Sequence, residues 1–532
     1  MGSLELLHLG AGLALAAVAW LLPRHIARVR RAAVVVLLLD AAPLGLGAIL
    51  LGLAAGRPLF AGLVILALGA GFALADHTMR ETLREPVVFS ESVELPQLFS
   101  HPHLYLPFAG PGLVLGGAAA AVAIAAALLV FEPPLWAPRP GLALATVALI
   151  LAGAWFLVRE PLLGRVACLM RRLRPSGEPF ADAAALGPFA VLLVHGLIAR
   201  AERPARRRAL AAPALIGGHR AHATPIVLVQ CESFFDARRL SPRLGPNLLS
   251  AFDACRSGAA FSGHLEVPGW GANTMRTEFA VLTGISETEL GYDRFNPYYA
   301  LARAPIASQV WRLRQAGYRA ICLHPFDRRF FRRDLAMPAL GFDSFLDQKA
   351  LGGSSRPPYC SDPDLAHQVL RVLDEAGPHS FVFVITMGNH GPWLPKGPPI
   401  DPSVGRLFEP ASVPGGMALQ RYLDGLRRSD EMLGILMSGL EQRRNGAILG
   451  FYGDHLPSLP QAFEHFGFAE PHSDYVVWRQ GGAQPLRRDL PAHRLGRIIV
   501  DQVLGPEPES MASAVASETT SNEMKRALAT PS

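Results

Sequence analysis

Apolar positions fall into two patterns, and the change between them divides the chain. Up to about residue 160 they run almost unbroken, over 6–23, 33–55, 59–75, 108–131 and 141–158. Most of these runs reach or approach the ~20 residues that cross a bilayer core. Beyond about residue 220 the runs shorten, fill with β-branched and aromatic residues, and alternate with helical stretches. That alternation predicts a parallel α/β sheet. Four strand-like runs stop at a reactive group: 224–231 at Glu232, 318–323 at His324, 381–385 through a short loop at His390, and 447–452 through Gly453 at Asp454 and His455. Ligands bind outside the carboxyl ends of parallel strands, so these groups are expected to meet in one crevice.

The expected organisation is a polytopic membrane region over 1–160 with five spans, a basic, amphipathic linker over 161–221, an α/β domain over 222–505 and a disordered tail over 506–532. A mean hydropathy of +0.25 agrees with a membrane part. The first run lacks a small-residue cleavage site and reads as a span, not a removed signal. A candidate sixth span at 183–199 holds His195 and a proline, so an interfacial helix competes with it. Arginines crowd 24–31 and 159–174, the loops a positive-inside rule places in the cytoplasm. Five spans with an outside amino terminus then leave the α/β domain inside, and a sixth brings it outside. Asp40 reads as the only acid in a span, facing a neighbouring helix, a headgroup or the interface. The basic stretch 200–212 reads equally as a headgroup-binding segment or a solvated tether.

The net charge of +6 and the pI near 9.2 do not signal nucleic acid, because the arginines flank apolar runs. Of five cysteines none forms a CxxC pair, and Cys231 and Cys322 sit in strand-like runs as small buried hydrophobes. A Cys255–Cys360 disulfide is left open.

Glu232, Asp454 and His455 form a mixed oxygen and nitrogen set suited to Zn²⁺ or Mn²⁺, with Mg²⁺ less favoured by the imidazole. Singly, each reads as an ion pair or a cap; three at strand ends read as a metal site. A hydroxyl nucleophile is available at Thr274, where a glycine-containing loop from 269 meets a helical stretch closing at Gly284. Thr274 and Thr277 also suit helix N-caps. A metal and a helix N-terminus together favour an ionised hydroxyl.

The series Gln-Cys-Glu232-Ser-Phe, Gly-Ala-Asn-Thr274-Met-Arg-Thr-Glu-Phe, His324-Pro-Phe with Phe331-Arg-Arg333-Asp, Gly-Asn-His390-Gly-Pro-Trp and Tyr-Gly-Asp454-His455 resembles the sulfatase-like branch of the alkaline phosphatase superfamily. Within it, the pattern is similar to lipoteichoic acid synthases and membrane phosphoglycerol transferases. The resemblance implies an α-helical transmembrane region plus an α/β alkaline-phosphatase-like catalytic domain with a central, mostly parallel sheet. It implies one divalent ion, Mn²⁺ first, on Glu232, Thr274, Asp454 and His455, with Thr274 as covalent nucleophile. His324, Arg333 and His390, with Phe331 where the synthases carry tryptophan, would hold a glycerol-phosphate group, Arg333 meeting it as a fork. The implied partners are a membrane phospholipid donor and a glycan or glycolipid acceptor. The implied setting is a bacterial inner membrane with the catalytic domain facing the periplasm.

Rival readings keep the same site. They are a headgroup phosphodiesterase, a phosphoethanolamine transferase, and a non-catalytic membrane binding protein. A true sulfatase is disfavoured, since neither Cys255 nor Cys360 lies in a C/S-x-P-x-R context. Asp430 is expected at a solvated helix position, with ligand orientation as the alternative, Trp270 and Trp393 as packing aromatics beside the site with substrate stacking as theirs, and His264, His367, His465 and His472 as surface or core histidines.

Overall fold

The computed structural model describes residues 3–30, 32–213, 223–354, 356, 359–482 and 485–506. All of the expected tail but Pro506, and the end of the expected linker, lie outside them. Among the described residues, five helices are long and apolar enough to cross a membrane: Ser3–Ile26, Val34–Ala55, Pro58–Thr82, Pro111–Phe131 and Pro140–Leu157, numbered here as spans 1 to 5. Span 1 packs closely on span 3, where Gly62 and Gly69 let the two backbones touch. Span 3 runs past its expected end and carries Asp76, so Asp40 is not the sole acid in a span. Asp40 faces neighbouring helices: it takes hydrogen bonds from Trp20 Nε1 (2.8 Å), Arg24 Nη1 (2.6 Å) and the amides of Phe189 and Ala190. Those amides begin the helix Pro188–Ala209, so the acid also meets a positive helix end.

The stretch expected as a sixth span breaks at Gly187 into helices Pro179–Leu186 and Pro188–Ala209. The second is neither a headgroup ribbon nor a free tether. Arg203 and Arg206 both pair with buried Asp293, and Arg207 donates to the Ala300 carbonyl. The basic residues thus dock the helix on the α/β domain. Five consecutive crossings would put the arginine-rich turns 24–31 and 159–174 on the same side of the membrane as that domain.

Among the described residues the domain is built on nine strands: β1 (Ile226–Cys231), β2 (Ala259–Glu266), β3 (Arg319–Leu323), β4 (Ser344–Leu346), β5 (Ser380–Ile385), β6 (Ile448–Gly453), β7 (His472–Arg479), β8 (Leu486–Arg487) and β9 (Leu490–Pro491). Their order is β4-β3-β5-β1-β6-β7-β2-β8, with β9 on β2. The five strands from β4 to β6 are parallel, and β7 pairs antiparallel with both β6 and β2. Every residue of β1, β5 and β6 is buried, because helices cover both faces. The expected mostly parallel sheet is present, and β1, β5 and β6 sit at its centre.

All five cysteines are free. Asp430 is not solvated: it is buried and accepts from the amides of Ala251 (2.9 Å) and Phe252 (2.7 Å), capping the helix Ser250–Ser257.

Candidate active site

β1 and β6 are neighbours in parallel register, with Cys231 opposite Gly453, so the residues that follow them emerge side by side. A Cβ on Gly453 would overlap the Phe234 carbonyl; glycine is required for this close approach rather than for a turn. Glu232, Asp454 and His455 are buried, and one ligand atom from each falls within 4.8 Å of the others. His455 Nδ1–H donates to the Leu456 carbonyl (3.0 Å), which leaves Nε2 as the lone-pair nitrogen. That nitrogen lies 3.5 Å from Glu232 Oε1, 3.4 Å from Asp454 Oδ2 and 3.4 Å from Thr274 Oγ1. Asp454 Oδ1 accepts from the amides of Ser233 and His455, whereas buried Oδ2 receives no hydrogen bond. Burial first, and the Asp454 charge second, push the Glu232 carboxyl up to about 8. Two crowded acids, an orphaned oxygen and an imidazole lone pair aimed at one point are a donor set that fits a divalent ion of zinc or manganese type.

Thr274 is the first residue of the helix Thr274–Thr283, which Gly284 closes in left-handed conformation. Asn273 occupies the N-cap with φ 66° and no side-chain cap bond. Neither threonine caps, therefore. Thr277 donates to the Asp454 carbonyl (2.7 Å), tying the helix to the Asp454 loop, and the Thr274 hydroxyl faces His455.

The residues expected to hold a phosphate group gather beside this point. His324 Nδ1–H points to the Ile385 carbonyl (3.2 Å), so its Nε2 accepts from Arg333 Nη1 (3.2 Å). Burial, and then Arg333, hold His324 neutral well below the usual histidine range. Arg333 is 2% exposed and turns its fork inward, with Nε and Nη2 on Glu278. His390 Nδ1–H donates to the Gly391 carbonyl (2.6 Å), leaving Nε2 as its remaining nitrogen. Phe331, at φ 54°, packs against the Phe330 ring at a tilt of 52°. Seven of the eight expected site residues line one cavity of about 210 Å³, and Asp454 lies just behind them. Trp393 joins the lining; Trp270 packs against Phe463 outside it.

Several contributors have no signal in the sequence. Glu278 lies one helical turn after Thr274, the only local hint of its place. The opposite wall comes from the membrane half: Met79, Thr82 and Leu83 at the end of span 3, then Glu91, Glu94, Tyr105 and Phe108. Burial pushes Glu91 and Glu94 up to about 7. Glu94 accepts from Asn296 through Oε1, and its buried Oε2 has no partner.

The chain belongs to the sulfatase family, whose model matches residues 225–499, and has the alkaline-phosphatase-like fold with a membrane-spanning half. It is 32% identical over 415 residues to the capsular polysaccharide biosynthesis protein RkpI of Rhizobium meliloti, covering 74% of this chain and 72% of that protein. Among solved structures it is similar to the integral membrane lipooligosaccharide phosphoethanolamine transferase A of Neisseria meningitidis, with a TM-score of 0.52 at 14% identity over 94% of this chain and 96% of the other. The Streptococcus pyogenes phosphoglycerol transferase GacH matches with a TM-score of 0.44 at 18% identity, over 61% and 84%.

Proposed function

We propose that the protein is a membrane-bound phosphoglycerol transferase that moves a glycerol-phosphate group from a phospholipid such as phosphatidylglycerol to a glycan or glycolipid. The observation that carries the reading is the convergence of Thr274 with Glu232, Asp454 and His455 on a cavity whose far wall is the end of a membrane span. The relation to RkpI supports a glycan acceptor, and the motif series of the catalytic half supports the glycerol-phosphate group.

Glu232, Asp454, His455 and Thr274 would hold one divalent ion, manganese first, which supplies positive charge to the threonine oxygen and the phosphoryl oxygens. The Thr274 oxygen attacks phosphorus, an O–P bond forms and the P–O bond to diacylglycerol breaks. His390, the imidazole with a free nitrogen, takes the threonine proton and returns it to the departing diacylglycerol oxygen. An acceptor hydroxyl then attacks phosphorus: its O–P bond forms, the Thr274 O–P bond breaks, and the hydroxyl proton passes through His390 to the released Thr274 oxygen. His324 has no proton to give, since its one N–H is on the Ile385 carbonyl; its Nε2 holds Arg333, which Glu278 grips from the other side, at the wall of the cavity.

The donor fits this arrangement because Leu83, Leu104 and Phe108 offer apolar contact beside the bilayer. The catalytic half is proposed to face the periplasm from an inner membrane. That puts both arginine-rich turns outside, where Arg24 is paired with Asp40 and Arg171 with Glu202. Incubating the full chain with headgroup-labelled phosphatidylglycerol tests the reading: it requires label on Thr274 and label transfer to added glucan. Label released only as free glycerol phosphate would identify the headgroup hydrolase instead.

A further inference from the structure

The loop that carries the candidate nucleophile is held from outside its own domain. Span 3 ends at Thr82, and the chain from there to Glu85 meets the loop at residues on both sides of Thr274. The Arg84 guanidinium lies 3.4 Å from the Trp270 ring centroid. Arg84 adopts φ 51°, a left-handed conformation that is unfavourable for a long side chain. Gly271 lies so close that a Cβ would overlap the Thr82 carbonyl; its own amide donates to the Leu456 carbonyl (3.0 Å), beside the Asp454–His455 pair. Glu85 pairs with Arg276 at 2.8 Å, and Arg276, 6% exposed, also donates to the Phe295 carbonyl (3.0 Å). The loop is thus sandwiched between the metal-ligand loop and the membrane helix. Its backbone is demanding, with Gly271 at φ 69° and Asn273 at φ 66°, and Asn273 makes no side-chain cap bond to hold the start of the helix.

We propose that Arg84 and Glu85 form a positioning clamp: they grip Trp270 and Arg276 across the membrane boundary and set Thr274 against the Glu232–Asp454–His455 cluster. The α/β domain is then fully competent only when docked on its own membrane half. This rests on Thr274 being the nucleophile, and it adds two residues that touch neither substrate nor metal. Losing the Glu85 carboxylate removes the ion pair of a buried guanidinium, with Glu91 and Glu287 as its remaining acidic neighbours, and frees the first turn of the Thr274 helix. Misplacement of a reacting atom by about 1 Å costs roughly a hundredfold in rate.

The test uses the full chain in lipid nanodiscs with three readouts: turnover of bis(p-nitrophenyl) phosphate, which needs no recognition of the natural donor; amide exchange at 269–276; and Mn²⁺ binding by calorimetry. Glu85→Gln is expected to lower kcat by about tenfold to a hundredfold with KM little changed. It is also expected to speed exchange at 269–276 while leaving Mn²⁺ affinity near that of the parent. Glu85→Asp should recover part of the loss. Arg84→Lys, which keeps charge but loses the planar stack, should fall between parent and Arg84→Ala. Parent-level kcat and exchange in both Glu85→Gln and Arg84→Ala would overturn the clamp. So would a loss confined to KM, or exchange raised evenly over the whole domain. Thr274→Ala in the same assay separates the two claims: turnover at the parent rate removes the nucleophile, while exchange at 269–276 still reports on the clamp.

Discussion

Glu278 is the residue whose replacement tests the physical reading most sharply. It is fully buried and accepts from Arg333 Nη2 (2.9 Å) and Nε (3.1 Å), Tyr298 Oη (2.6 Å) and Gln230 Nε2 (3.1 Å). Glu278→Gln keeps the shape but removes the charge and turns an NH₂ group toward a donor. The Arg333 guanidinium, itself 2% exposed, is left without a counter-charge, a loss of about 3–5 kcal/mol by the usual cost of breaking a buried pair. Glu278→Asp keeps the charge and withdraws one methylene, for about 1 kcal/mol. The informative third variant, Glu278→Met with Arg333→Leu, removes both charges at once and should recover part of the stability, since apolar replacement of a whole buried pair is often neutral while Tyr298 and Gln230 lose an acceptor. It should recover no activity, because the guanidinium is gone. Urea unfolding of the full chain in detergent, followed by tryptophan fluorescence, gives the stabilities, and phosphodiester turnover gives the rates. A Glu278→Gln variant within about 1 kcal/mol of the parent would refute the argument, as would a double variant as unstable as Glu278→Gln.

Further outcomes follow from the same geometry. Thr274→Ala should abolish both headgroup release and the covalent adduct seen by mass spectrometry, while Thr274→Ser should retain the adduct. His390→Gln should lower kcat by about a hundredfold, as loss of a proton shuttle does, read from the pH–rate profile. Glu232 has a folded-state pKa raised from 4.5 to about 8, so the metal-free protein binds its proton more tightly than the unfolded chain does. That stability is complete at low pH and is lost as pH rises through about 8; Tm measured with chelator should fall across this window, and added Mn²⁺ should cancel the fall. Asp40→Asn should destabilise the membrane half by about 3 kcal/mol, seen as a lower Tm in detergent, since Arg24 loses its partner.

Strand positions and the residues that end them were legible in the chain because both are local. A run of β-branched residues buried on both faces, stopping at an acid, marks a central strand wherever it sits. Parallel strands bring their carboxyl ends together, so Glu232, Asp454 and His455 could be grouped before any distance was known. Thr274 was recognisable from the glycine-bearing loop and the helix after it. What only the tertiary structure decided depends on contacts between distant segments. Arg333 is a natural phosphate fork in isolation; in the fold it is turned inward by Glu278, 55 residues away in sequence. Asp430 looks solvated on its own helix and is in fact the cap of another. The arginines of 200–212 read as a headgroup ribbon or a tether until Asp293 is found beneath them. Glu85 meets Arg276 across 191 residues, and no periodicity records such a pairing. Hydrophobic rhythm determines which elements form and which face is buried, whereas the partner of each buried charge is settled only when elements pack, because a desolvated charge takes whichever counter-charge the completed fold brings within reach.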